Sequence, residues 1–255
     1  MNRLITFAAM ALAAPAVAQH AGDIALTLQG GTIVTNFYDA DFTPQPERLF
    51  LGTLGDTGID RFTSNPGFEA LPGAFPTGTR IGFHATTGLQ RWNGNAFEPA
   101  AGMELEVKYL TARFTVADSP VSGFSLAVQS NGGIHRHLSF TLRDPLGIGP
   151  SSGAWLLSMR LDATVGTTAA SEPFFVLFND GLDAAAFGDV ATLARTLLLG
   201  TPCPGDLDGN GAVDAGDIGS MLIAFGTPEA DLDGNGTTDA GDIGSLLILF
   251  GPCPE

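Results

Sequence analysis

Asp206-Leu-Asp208-Gly-Asn210-Gly211-Ala212-Val-Asp214-Ala-Gly-Asp217 is followed, in the same spacing, by Asp231-Leu-Asp233-Gly-Asn235-Gly236-Thr237-Thr-Asp239-Ala-Gly-Asp242. Each twelve-residue stretch carries oxygen side chains at positions 1, 3, 5, 9 and 12, with glycine at position 6. A hard divalent cation takes about six to eight oxygen ligands, and this spacing delivers them from one short loop. The glycine permits the sharp turn that aims them inward. Position 7, Ala212 or Thr237, would add a backbone carbonyl. One match could arise by chance, whereas two in register predict two calcium ions.

Both loops run into the same apolar stripe. Ile218, Met221, Leu222 and Phe225 lie at i, i+3, i+4 and i+7, and Ile243, Leu246, Leu247 and Phe250 repeat them. A short amphipathic helix is therefore expected after each loop. Gly226 and Gly251 end these helices, with Pro228 and Pro252 close behind. Pro202, Pro204 and Pro228 stand where a helix would enter each loop, so each unit reads as loop plus exit helix, half of an EF-hand.

In this form residues 203–255 resemble a type I dockerin. The resemblance implies one calcium ion held by Asp206, Asp208, Asn210, Ala212, Asp214 and Asp217, and a second by Asp231, Asp233, Asn235, Thr237, Asp239 and Asp242. Aspartate at position 12, where full EF-hands carry glutamate, agrees with dockerins. It also implies a cohesin-like or cell-surface protein partner. Positions 10 and 11 depart from that pattern: Ala215-Gly216 and Ala240-Gly241 stand where cohesin-recognising dockerins usually carry hydroxyl or longer side chains. The likeness is thus to the calcium fold more than to the cohesin-reading surface.

Charge and cysteine usage point the same way. Residues 203–255 hold ten acidic residues and no Lys or Arg, and eight of the ten are the candidate aspartate ligands. That density of negative charge opposes compaction unless a cation is bound. The two cysteines, Cys203 and Cys253, bracket the loops and lack zinc-site spacing, so a disulfide clasping the ends is expected. At the other end, Met1-Asn2-Arg3, an apolar run from Leu4 to Ala14 and Ala16-Val17-Ala18 fit a cleaved signal peptide over residues 1–18. The run is too short to span a membrane, and the expectation is a secreted, extracellular or cell-surface protein. A formal net charge of −16 with 11 Lys plus Arg offers no basic stripe for nucleic acid.

Residues 19–199 read as a β-domain, with 200–205 as a linker. Ile24, Leu26 and Leu28 alternate, and Gln29-Gly30-Gly31 turns the chain into Thr32–Thr35. Further strands are expected at 47–52, 79–85, 88–93, 104–116, 123–129, 134–142, 154–163 and 173–179. Trp155, Leu157, Met159 and Leu161 face one way, whereas Phe174 to Phe178 is apolar throughout and reads as a strand covered on both faces. A helix is expected over 184–198, with Phe187, Val190, Ala194 and Leu197 on its buried face. The fold class is mainly β: an antiparallel β-sandwich of jelly-roll or immunoglobulin-like kind, followed by the small helical calcium module.

Two further chemistries are legible in the β-domain. His135 and His137 share one side of the expected strand 134–142, a geometry that can chelate zinc or copper, with His20 and His84 as further ligands. The opening His20-Ala-Gly-Asp23-Ile24 and the Gly133-x-His135-x-His137 strand look like a group of bacterial surface-anchored β-domain proteins, some of them associated with zinc limitation. The other chemistry is glycoside hydrolysis, because dockerins often accompany polysaccharide-degrading enzymes. A glycosidase needs two carboxylates flanking a sugar groove. Glu104 and Glu106 share a strand face, whereas Glu69, Glu98 and Glu172 are isolated, and Trp92 and Trp155 are the aromatic candidates for stacking on a polysaccharide. No nucleophile elbow, His-Glu-x-x-His helix or phosphate loop occurs, so the sequence makes no positive case for catalysis. The reading is a non-catalytic binding or assembly protein, with a carbohydrate-active enzyme and an extracytoplasmic zinc or copper binder as alternatives.

Overall fold

The computed structural model of the protein describes residues 22–39, 43–100, 102–166, 169–200, 203–208 and 210–253. The expected signal segment and His20 lie outside them.

The chain opens with the expected hairpin. β1 (Ile24–Gln29) and β2 (Thr32–Tyr38) pair antiparallel with Gln29 opposite Thr32. There follow β3 (Pro44–Pro46), β4 (Leu49–Thr53), β5 (Phe62–Thr63), β6 (Phe68–Ala70), β7 (Arg80–Ala85), β8 (Gln90–Trp92) and β9 (Phe97–Pro99). Next come β10 (Glu104–Tyr109), β11 (Ala112–Val116), β12 (Val121–Ala127), β13 (Ile134–Arg136), β14 (Ser139–Arg143), β15 (Gly153–Ala163) and β16 (Phe174–Asp180). After α1 (Ala184–Leu199) come β17 (Ala212–Val213), α2 (Ala215–Ile223), α3 (Ala240–Ile248) and β18 (Gly251–Pro252).

Among the described residues the fold is mainly β, with several sheets and three short helices. One sheet runs β13-β6-β1-β2-β3, a second β11-β10-β14-β5 and a third β12-β7-β15-β16-β4, with β8 and β9 appended beside β15. Pairing is mostly antiparallel, but β1 with β6 and β16 with β4 are parallel. All three sheets send side chains into one apolar core. Ile24, Phe68, Phe83, Phe140, Trp155 and Phe178 are fully or almost fully buried there. Phe68 meets Phe83 edge-on at 4.9 Å, and Phe140 meets Phe178 at 5.0 Å.

The alternation of β15 is as expected, with Trp155, Leu157, Met159 and Leu161 in the core and Arg160 exposed. Phe174, Val176 and Phe178 of β16 enter the same core, while Leu177 faces a second cluster with Phe187, Val190 and Ala194 of α1. The continuous apolar run is thus explained by a helix lying over the sheet's other face. Asp183 caps that helix by accepting from the Ala186 N–H at 2.9 Å. Leu197 was expected on the buried face but is 57 % exposed, and Leu198 packs instead. At about 100° per residue, position 198 returns to within about 20° of Phe187's direction, whereas 197 lies about 80° away.

Two expected strands are broken. The stretch 104–116 folds back at Leu110 as the β10–β11 hairpin, with Tyr109 opposite Ala112. The stretch 134–142 divides at His137 and Leu138: β13 pairs with β6 in the first sheet, and β14 pairs with β10 in the second. Ile134, Leu138, Phe140 and Leu142 are all buried, so the apolar alternation survives a change of sheet.

The tail has its own apolar cluster: Val213, Met221, Ala224, Ala230 and Leu246. Its halves mirror each other. Val213 pairs with Gly251 after α3, and Thr238 exchanges backbone hydrogen bonds with Gly226 and Thr227 after α2. Cys203 and Cys253 are disulfide-bonded, as expected from their placement.

Candidate functional site

The two acidic loops are organised from the backbone upward. Asp217 is inaccessible to solvent, and its Oδ1 accepts from the Leu207 and Asp208 N–H groups at 2.6 and 3.1 Å. Its Oδ2 accepts from Asp214 N–H at 2.8 Å. Asp242 repeats this with Leu232, Asp233 and Asp239 at 2.7, 3.0 and 2.7 Å. The N–H of Asp214, or of Asp239 in the second loop, does most to hold the buried carboxyl below the usual range. Burial pushes the other way and is outweighed with the help of the other N–H donors. The same residues form capping boxes at the starts of α2 and α3, which ties each loop to its exit helix.

At the other end of each loop, Asp206 accepts from Asn210 and Gly211, and Asp231 from Gly234, Asn235 and Gly236. Gly211 and Gly236 sit at φ 88° and 95°, the left-handed turn expected of loop position 6. Asp206, Asp208 and Asp217 offer carboxylate oxygens all within 4.8 Å of one another, as do Asp231, Asp233 and Asp242. Oxygens bound to one calcium ion at about 2.3–2.6 Å can lie no more than about 5 Å apart, so both trios fit one coordination shell. Each oxygen has two lone pairs, and in Asp217 and Asp242 the N–H groups take both on Oδ1 but only one on Oδ2. Three like charges so close repel, and a divalent cation would offset that. Cys203 and Cys253 lie close to Asp206, but as a disulfide they supply no thiolate.

The stripes on α2 and α3 are only half covered. Met221 and Leu246 are fully buried, and Ile218 and Ile243 pack partly against the cluster. Leu222, Ile223 and Phe225 are 57, 88 and 50 % exposed, and Leu247, Ile248 and Phe250 are 54, 85 and 48 % exposed. Two nine-residue helices cover each other along one line and leave the outer flank open.

Of the histidines proposed as metal ligands, the structure brings two together. His135 and His137 place their Nε2 atoms 3.3 Å apart, with Asp23 Oδ2 at 3.9 and 3.5 Å. His84 is on β7 in another sheet, 3.1 Å from Asp162. Asp23 was missed as a candidate because nothing local marks it; its two histidine partners are more than a hundred residues away in the chain.

The carboxylates considered for sugar chemistry do not converge. Glu106 is paired with Arg143 at 2.7 Å, and Arg143 also stands opposite Glu104 across the ladder. Glu69 is buried opposite His135, and Glu98 is on the exposed β8–β9 hairpin. Glu172 borders a cleft of about 350 Å³ beside β2 and α1, where Glu47 is held by Arg195 at 2.9 Å. Trp155 is core, and Trp92 packs on Phe97 at 5.1 Å. Among the described residues, no helix is long and apolar enough to cross a membrane. No protein-family model matches the chain, and no curated protein matches it significantly.

Proposed function

We propose that the chain is a secreted or cell-surface binding and assembly protein: a β-sandwich domain carrying a dockerin-like module that holds two calcium ions. The observation that carries this reading is the duplicated carboxylate trio, Asp206/Asp208/Asp217 and Asp231/Asp233/Asp242, each compact enough for one calcium shell. In the first loop Asn210, Asp214 and the Ala212 carbonyl complete the oxygen set; Asn235, Asp239 and the Thr237 carbonyl do so in the second. Calcium neutralises the acidic cluster and fixes the direction in which each exit helix leaves its loop. The Cys203–Cys253 disulfide agrees with an oxidising destination, as does the signal-like Met1–Ala18 segment.

Assembly rather than calcium storage is supported by the exposed apolar flank of α2 and α3. Paired Leu, Ile and Phe side chains on a small acidic module form a surface suited to another protein. With alanine and glycine at loop positions 10 and 11, recognition would rest on these apolar residues. Calorimetric titration of the calcium-stripped full chain tests the reading. Two calcium ions per chain are expected in wild type and one in Asp217→Ala; absence of calcium binding to wild type overturns it.

A further inference from the structure

We propose that Asp23, His135 and His137 form a site for one zinc-class transition-metal ion, separate from the calcium loops. The sheet register builds this site. Ile24 of β1 pairs parallel with Phe68 of β6, and Arg136 of β13 pairs antiparallel with the same Phe68. Asp23 and His137, one residue beyond each pair, therefore flank Gly67 from opposite sides. A Cβ on Gly67 would lie 2.7 Å from His137 Cε1 and 2.9 Å from both Asp23 oxygens. Only glycine lets the imidazole and the carboxylate meet over the intervening strand. Gly67 also donates its N–H to Asp23 Oδ1 at 2.7 Å, which fixes the carboxylate with Oδ2 nearer the histidines.

The chain's departure from β13 does the rest. Had 134–142 remained one strand, the Cα atoms of His135 and His137 would lie about 7 Å apart with parallel side chains. Leaving β13 after Arg136 instead lets the rings tilt together, to 3.3 Å between Nε2 atoms. Two nitrogens at tetrahedral angles around zinc, each about 2.0–2.1 Å from it, lie about 3.3–3.4 Å apart. Adjacent nitrogens in a tetragonal copper(II) site would lie closer, at about 2.8–2.9 Å.

His137 Nδ1 lies 2.9 Å from the Ser64 carbonyl, which can only accept, so Nδ1 carries the proton and Nε2 presents its lone pair. Orientation of a ligating imidazole by a carbonyl on its other nitrogen is the usual outer-shell arrangement of metal-bound histidine. The side chains of His135 and His137 are 32 and 27 % exposed, whereas Asp23 is 5 % exposed. An ion would enter from the histidine side and keep a position open to solvent. Glu69, buried opposite His135, adds a second carboxylate beside the site and favours a cation there.

The same three groups could instead satisfy one another through a His135 N–H to His137 hydrogen bond beside Asp23. Zinc titration of the full chain, with calcium present in excess, separates the two arrangements. Elemental analysis after dialysis is expected to find one zinc per wild-type chain and none in His135→Ala/His137→Ala, with calcium content unchanged. Gly67→Ala keeps all three ligands yet should weaken zinc about 10–100-fold by displacing them. Cobalt(II) loading should give the strong visible bands of a tetrahedral site in wild type and not in His135→Ala/His137→Ala. If the double variant fails to fold, His135→Gln provides the comparison. No zinc in wild type, equal zinc in wild type and variants, or a tetragonal copper site in preference to zinc would each overturn the proposal. Calcium is counted separately in every sample, so failure here leaves the calcium reading standing, and the reverse.

Discussion

Asp217 shows how one side chain links sequence pattern to stability. Its carboxylate receives three backbone N–H groups from both ends of its loop, so losing it should loosen the loop and remove one half of the capping box of α2 together. Because these bonds favour the charged form, its folded pKa lies below the ordinary 3.8. A group depressed in this way contributes stability that is fully present above 3.8 and is lost as pH falls through the lower, folded value. Asp242 behaves identically. Acid titration of the calcium-stripped protein, followed by tail fluorescence after labelling or by amide exchange, should show the loops opening below pH 3.8. Asp217→Asn should flatten the first loop's share of that response, and a response unchanged from wild type would contradict the assignment. In the core, Phe178→Ala removes a fully buried ring packed on Phe140 and should cost about 3–5 kcal/mol in denaturant unfolding.

At the scale of elements, legibility followed locality. The β1–β2 hairpin, the alternation of β15 and the capped helix α1 are written in contiguous residues, and the structure has them close to where the periodicity placed them. β13 and β14 were legible as apolar alternation but not as two strands, because alternation records burial and is blind to which sheet does the burying. That same limit hid Asp23, whose role depends on a parallel pairing of β1 with β6. The short strands β3, β5, β6 and β9 have two or three residues each and give no periodic signal. The acidic loops are the opposite case, since all the candidate side-chain ligands of each fall within twelve residues. Around them, the disulfide and the β17–β18 pair close the module at one end. A cross-link with a sequence separation of 50 residues restricts the unfolded tail, and the chain-entropy model gives about 4 kcal/mol. Cys203→Ser/Cys253→Ser should therefore lower the tail's stability by about that amount in chelator, measured by denaturant unfolding monitored on the tail.

Across the whole molecule, the β-domain and the tail are held by different means. The β-domain rests on a large cluster drawn from three sheets, and the tail on five buried residues that include two alanines. So small a core contributes little, while six aspartates in two tight groups repel one another. The tail's stability is then expected to follow calcium, and the β-domain's to be indifferent to it. Binding to the folded state alone stabilises by RT ln(1 + [L]/Kd), so each tenfold rise in free calcium above saturation adds about 1.4 kcal/mol per site. Calorimetric melting of the full chain should accordingly show two transitions. One should move upward with each decade of calcium and fall to its lowest temperature in chelator, and the other should stay in place. High salt with chelator should raise the tail's transition by screening the aspartates, but less than calcium does, because screening supplies no ligand bonds. A single transition independent of calcium would mean that the acidic loops fold without an ion, and would remove the physical basis for reading them as a metal-built module.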